Sequence, residues 1–269
     1  LELKPYEDEV SEEPLVSSEL KGSRVKSTKS VEEYNITEWT LDNGVKVLLK
    51  PTDFKNDEIL FTSFSWGGWS QYSPEDFWSA SSADEIIDQS GVGSFNATSL
   101  EKKLTGKTVN LTPYISELQQ GFNGSCAPKD IETMLQLTYE YFTEPRKDQE
   151  AFNSYIDKQK GVLKNRSSDP QAVFFDTVGY VMSGYNPRDQ PRTVNTLSKI
   201  ELDKVFRFYK ERFSDASGFT FVFVGSFKPE ELKPLIEKYL GSLPALNKNE
   251  KWKDDGSTYP KGKVERIVK

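Results

Sequence analysis

Leu41-Asp42-Asn43-Gly44-Val45-Lys46-Val47, read with Trp39 before it and Leu49 after it, is the stretch on which the fold turns. Trp39, Leu41, Val45, Val47 and Leu49 recur at alternate positions on either side of Asp42-Asn43-Gly44. Asn-Gly tolerates the positive φ angles of a tight turn, so the stretch predicts a β-hairpin beginning near Thr37. A third strand follows from Glu58 to Trp66 and stops at Gly67-Gly68. Far downstream, Phe219-Thr220-Phe221-Val222-Phe223-Val224 is apolar on both faces, the pattern of a strand inside a sheet.

The rest of the chain falls between and around these strands. Ser73-Pro74-Glu75-Asp76 predicts a helix start, with the helix running to about Gln89. A short helix, Ser99 to Leu104, precedes two strands, Lys107 to Ile115 and about Gln119 to Ser125. Helices are then predicted over Asp130 to Phe142, Asp148 to Asn165, Pro170 to Ser183 and Leu197 to Phe213, with a last one around Leu232 to Leu240. Clustered strands with hairpins, rather than strict strand–helix alternation, give an α+β fold. Residues 1–36 carry acidic and basic patches but no sustained apolar period, and read as an extended arm; 37–245 form the folded unit; 246–269, Lys-rich and polar, read as a connector to a following domain.

Composition excludes several classes of function. The 269 residues carry a net charge of -7 with no basic stripe, so nucleic-acid binding is not expected. No apolar run approaches the roughly 20 residues of a membrane helix. Cys126 is the one cysteine and there is no histidine, which removes imidazole-based zinc sites, Ser-His-Asp catalysis and Cys-His catalysis together. Leu1 at the start suggests a mature form or a piece of something longer.

Leu41 to Val47, Lys50-Pro51-Thr52-Asp53-Phe54-Lys55, Ser63 to Trp69, Phe221-Val222-Phe223-Val224-Gly225-Ser226-Phe227 and Gly241-Ser242-Leu243-Pro244 resemble, in order and spacing, a domain of the insulinase/pitrilysin-type zinc peptidases. The resemblance implies a mixed, largely antiparallel sheet packed by helices. Active domains of that family carry His-x-x-Glu-His on the first helix and a Glu ligand on a later one. If Glu85 matches the catalytic acid, Ser82 and Ile86 stand at the two His positions, and neither replaces imidazole. No Glu occurs between Glu150 and Glu201, where the third ligand would fall. The resemblance therefore implies a degenerate domain without zinc or catalysis of its own. It would dock on a zinc-bearing catalytic domain of the same or a partner chain and help enclose peptide substrates. A stand-alone scaffold with the same fold is the alternative. Nothing in the chain names its compartment; an extracytoplasmic one is favoured if the source is bacterial.

The resemblance also points to Lys107, Thr108, Val109, Asn110, Leu111 and Thr112, which match a substrate-pairing edge strand. Pro113 agrees with an edge, because proline cannot donate to an inner ladder. Other candidates carry less. Asp84 and Asp88 share a helix face and could act as a carboxylate pair. Asp53 to Glu58 lacks the glycine and distal Glu of a calcium loop. Gly91-Val92-Gly93 does not follow a strand, against a dinucleotide reading. The five Asn-x-Ser/Thr sequons read as coincidence, Trp66 and Trp69 as packing residues, and Cys126 as a small structural residue.

Overall fold

The computed structural model describes residues 11–267. Seven strands form one sheet: β1 (Val25–Val31), β2 (Ile36–Leu41), β3 (Lys46–Pro51), β4 (Ile59–Trp66), β5 (Val109–Ile115), β6 (Gln119–Cys126) and β7 (Thr220–Gly225). Their spatial order is β1-β2-β3-β7-β4-β6-β5. Every pairing is antiparallel except β3 with β7, so the sheet is mixed and mostly antiparallel, as expected.

The turn at Asn43-Gly44 forms as its residues require. Gly44 sits at φ +87°, and Asn43 donates from Nδ2 to the Leu240 carbonyl at 2.9 Å, tying the hairpin to the end of the chain's last helix. The strand Thr220–Gly225, apolar on both faces, lies between β3 and β4.

Helices cover one face of this sheet. They are α1 (Phe77–Ala80), α2 (Ala83–Ser90), α3 (Ala97–Lys103), α4 (Ile131–Thr143), α5 (Gln149–Ser167), α6 (Pro170–Met182), α7 (Val194–Leu197), α8 (Leu202–Arg212) and α9 (Pro229–Tyr239). Val47, Leu49, Ile59, Phe61, Phe122, Phe221 and Phe223 point into the shared core. Phe142 of α4 joins the two layers, with ring centroids 5.3 Å from Phe213 and 4.9 Å from Phe219. Aromatic contacts of this kind add about 0.5–1.5 kcal/mol each beyond the area they bury. The opposite face is open: Leu60 and Trp66 are exposed there, and Leu48, Val222 and Val224 are only partly covered.

Three elements differ from the sequence reading. Among the described residues regular structure begins at Val25, not near Thr37: β1 has no buried side chain and is held by its backbone pairing to β2. Leu15, within the predicted arm, is buried in the core. The helix predicted from residue 74 to 89 is broken in two at Ser81-Ser82, where Ser82 leaves helical geometry at φ -116° and ψ 3°. The helix predicted from Leu197 to Phe213 begins only at Leu202; Leu197 ends the short α7, and in the gap between them the Ser79 hydroxyl accepts from the Glu201 amide at 3.0 Å.

Residues 246–258 run back across the domain as a strap. Arg212, 6% exposed at its side chain, grips Glu250 with both terminal nitrogens at 2.5 and 3.0 Å. Asp215 accepts from the Leu246 and Lys248 amides, and Ser70 Oγ accepts from the Lys253 amide.

Candidate functional site

The break at Ser82 places the start of α2 against two distant parts of the chain. Tyr155, fully buried on α5, donates its hydroxyl hydrogen to Glu85 Oε2 at 2.7 Å. Arg192, between Pro191 and the Thr193 cap of α7, donates from Nη1 to Tyr155 Oη at 3.2 Å and from Nη2 to Ser82 Oγ at 3.1 Å. Burial, with the Glu85 hydrogen bond, pushes the Tyr155 phenol up to about 12, so it remains a donor at any physiological pH. The result is a polar chain, Ser82–Arg192–Tyr155–Glu85, which carries a permanent cation beside Ser82 and ends on the exposed Glu85 carboxylate.

Of the three residues matched to the active-site helix, the structure joins Ser82 and Glu85 through Tyr155 and Arg192. Ile86 does not join them, since its side chain is wholly inside the apolar core. This donor set does not suit zinc: the one carboxylate accepts from a phenol, the other members are a hydroxyl and a guanidinium, and the guanidinium repels a cation. Among the described residues no group of three or more His, Cys, Asp and Glu side chains is placed to hold a metal ion.

Asp84 and Asp88 do not act together. Asp84 Oδ2 accepts from the Ile115 amide at 2.9 Å, and Asp88 Oδ1 accepts from the Tyr141 hydroxyl at 2.6 Å. Burial raises both carboxyls, Asp84 to about 6. Each serves as a tie between α2 and a neighbouring element. Trp69 stacks edge-on against Phe77 at 5.0 Å, whereas Trp66 lies on the open sheet face. Cys126 is buried, its thiol pushed up to about 12 by desolvation.

The stretch from Lys107 to Thr112 divides. Lys107 donates from Nζ to Thr133 Oγ1 at 3.0 Å, and the Thr108 amide donates to Asp130 Oδ2 at 2.9 Å, so both are held by the start of α4. The strand proper begins at Val109 and pairs only with β6, as the outermost strand. Hydrogen bonds at its two ends, Ala127 amide to Thr108 carbonyl and Ser116 amide to Gln119 carbonyl, set the parity. Even-numbered residues, including Asn110 and Thr112, exchange bonds with β6, and odd-numbered ones point away from it. The outward donors are thus Val109 and Leu111. Pro113 has none, and that of Ile115 is given to Asp84.

Tyr155 and Arg192 carried no local signal in the sequence. Tyr155 sits in an ordinary helical run, and Arg192 is marked only by the prolines at 187 and 191 that force its segment out of helix.

Residues 199–269 match the family model described as the peptidase M16 inactive domain. The chain is 29% identical over 241 residues to the zinc protease PQQL-like of Arabidopsis thaliana, which covers 89% of this chain and 23% of that protein. It is 23% identical over 212 residues to the probable zinc protease PqqL of Haemophilus influenzae, covering 78% of this chain and 22% of the relative. Among solved structures, the periplasmic protease PqqL from Escherichia coli superposes with a TM-score of 0.79 at 20% identity, over 97% of this chain and 28% of that one. A mutant of the ferredoxin protease FusC, in complex with Arabidopsis ferredoxin, superposes with a TM-score of 0.72 at 19% identity, over 91% and 26%. The chain therefore spans about a quarter of the length of these relatives.

Proposed function

We propose that this chain, a degenerate domain of the insulinase/pitrilysin-type (M16) peptidases, performs no hydrolysis itself and forms one wall of the chamber of a larger zinc peptidase. The observation that carries the proposal is the Arg192 guanidinium on Ser82, with Tyr155 closing on Glu85. Where an active domain would present imidazoles to a metal, this helix presents a hydroxyl already bound by a cation and an isoleucine facing the core. A fixed positive charge there disfavours a second one, and the carboxylate matched to the one that would activate water is instead an acceptor for the Tyr155 hydroxyl.

The open edge of β5 supports a passive role in substrate handling. An extended peptide can add to an exposed strand through main-chain bonds alone, with side-chain pockets giving selectivity. In this reading Val109 and Leu111 offer the donors, and zinc belongs to a catalytic domain elsewhere in the same or a partner chain. We take residues 37–245, with β1 and the strap at 246–258 packed on them, as the unit that docks there, and the residues beyond the strap as the connector to a further domain. A location outside the cytoplasm is inferred if the source is bacterial, by analogy with the periplasmic PqqL.

The complete reading frame tests the proposal. His-x-x-Glu-His is expected in another unit of that polypeptide. Its absence both from the reading frame and from any stably co-purifying chain overturns the proposal.

A further inference from the structure

Two helices of 13 residues each divide this domain's apolar surface very differently. The helix α4 buries eight of its residues, among them Met134, Leu135, Leu137 and Phe142. The helix α6, Pro-Gln-Ala-Val-Phe-Phe-Asp-Thr-Val-Gly-Tyr-Val-Met, is at least as apolar and buries none. Phe174, Phe175, Val178 and Met182 are 40% to 59% exposed. Its position depends on polar anchors: Asp169 caps its first turn, and Asp176 receives both Arg166 nitrogens at 2.5 and 3.0 Å from α5. The helix is thus fixed in place with its apolar side turned out, and contiguous apolar surface of this kind marks an interaction site.

The course of the polypeptide says what arrives there. Pro260, Gly262, Val264 and Arg266 run beside Phe174, Val178 and Met182, and together they line a groove of about 340 Å³. The segment beyond the strap therefore passes along α6. The relatives are roughly four times as long as the part that this chain covers.

We propose that α6 is the docking face for a neighbouring unit of the same longer polypeptide, which sets an apolar surface against Phe174, Phe175, Val178 and Met182. The proposal shares with the proposed function the premise of a longer polypeptide, but not its catalytic part. Contacts between units of one chain typically bury about 600–1,500 Å². A single exposed helix supplies the centre of such a contact and the segment at 260–266 its rim.

Thiol labelling tests this, because Cys126 is buried and silent. Val178→Cys, and separately Met182→Cys, would be placed in the isolated chain and in the complete polypeptide, with Lys158→Cys on the exposed side of α5 as the reference. Labelling by a maleimide should be fast in the isolated chain and about tenfold slower or more in the complete polypeptide at both α6 positions, relative to the reference. Equal relative rates in the two contexts overturn the proposal. So does slowing that already appears in the isolated chain and grows with its concentration, which assigns the face to a second copy. Protection in a complete polypeptide that has no peptidase activity supports docking while removing the catalytic reading.

Discussion

Arg192 and Ser82, 110 positions apart in the chain, meet through an Nη2–Oγ hydrogen bond of 3.1 Å. The same guanidinium reaches Tyr155, so one side chain joins the break before α2, the middle of α5 and the segment before α7. Its planar fork spans two acceptors, which a lysine ammonium on a flexible stem does not reproduce. Arg192→Ala should therefore lower stability by roughly 1–3 kcal/mol, read from the urea midpoint. Arg192→Lys should recover less than half of that loss. Full recovery by lysine would show that charge alone, and not the double contact, matters.

The parity of β5 separates two substitutions one residue apart. The Asn110 amide points to β6, so Asn110→Pro removes a ladder bond and should destabilise the domain by about 1–3 kcal/mol. The Val109 amide points outward. Val109→Pro should leave stability within about 1 kcal/mol of the parent protein and, under the proposed function, raise the KM of the complete polypeptide for peptides more than it lowers kcat. Paired melting and steady-state measurements on both variants decide it. A position chosen on the edge assignment alone, Asn110 for instance, gives the wrong residue, because sequence does not reveal which way each amide points.

How much was legible depends on where the signal lies. The β2–β3 hairpin and the central β7 were readable because turn chemistry and side-chain alternation are local. The strand β1, Val-Lys-Ser-Thr-Lys-Ser-Val, was not: polar on both faces, it belongs to the sheet through backbone bonds to β2 that leave no mark on its side chains. The missing imidazoles at Ser82 and Ile86 were evident at once. The network that stands there instead was not, since Tyr155 and Arg192 reach the site only through the packing of α5 and the segment before α7.

Glu140 gives the domain a pH dependence of definite sign. Burial, with the nearby Glu144 charge adding to it, raises its carboxyl from the ordinary 4.5 to about 7. The folded state then holds a proton that the unfolded state has released. The associated stability is complete below about pH 4.5 and is lost as pH rises through 7. Glu140→Gln should raise stability at pH 8 by on the order of 1–3 kcal/mol and leave it unchanged near pH 4. Asp84, raised to about 6, and Asp88, also raised, lose stability in the same direction, so a smaller slope of the same sign should remain in Glu140→Gln. Denaturant melts across pH 4–8 provide the comparison.

One of the strap's anchors is a buried charge. Glu250→Ala would leave the Arg212 guanidinium, 6% exposed, without its carboxylate, and removing one partner of such a pair costs about 3–5 kcal/mol. The loss should be accompanied by proteolytic cleavage within 246–258 that is faster than in the parent protein. Arg212→Met with Glu250→Ala removes both charges and should be milder than Glu250→Ala alone. If the double variant is the worse of the two, the pair stabilises by more than avoiding an orphaned charge.

Zinc content and peptide hydrolysis, measured side by side on residues 1–269 and on the complete polypeptide, test the account's central claim most directly. The isolated chain should purify with far less than one zinc by elemental analysis and cleave no peptide in a chelator-sensitive way. The complete polypeptide, with any stably bound partner chain, should carry zinc and lose its peptidase activity to a chelator. One tightly held zinc per isolated chain, or chelator-sensitive cleavage by it, would contradict a centre in which Arg192, Ser82, Tyr155 and Glu85 are joined by hydrogen bonds and assemble no set of metal ligands.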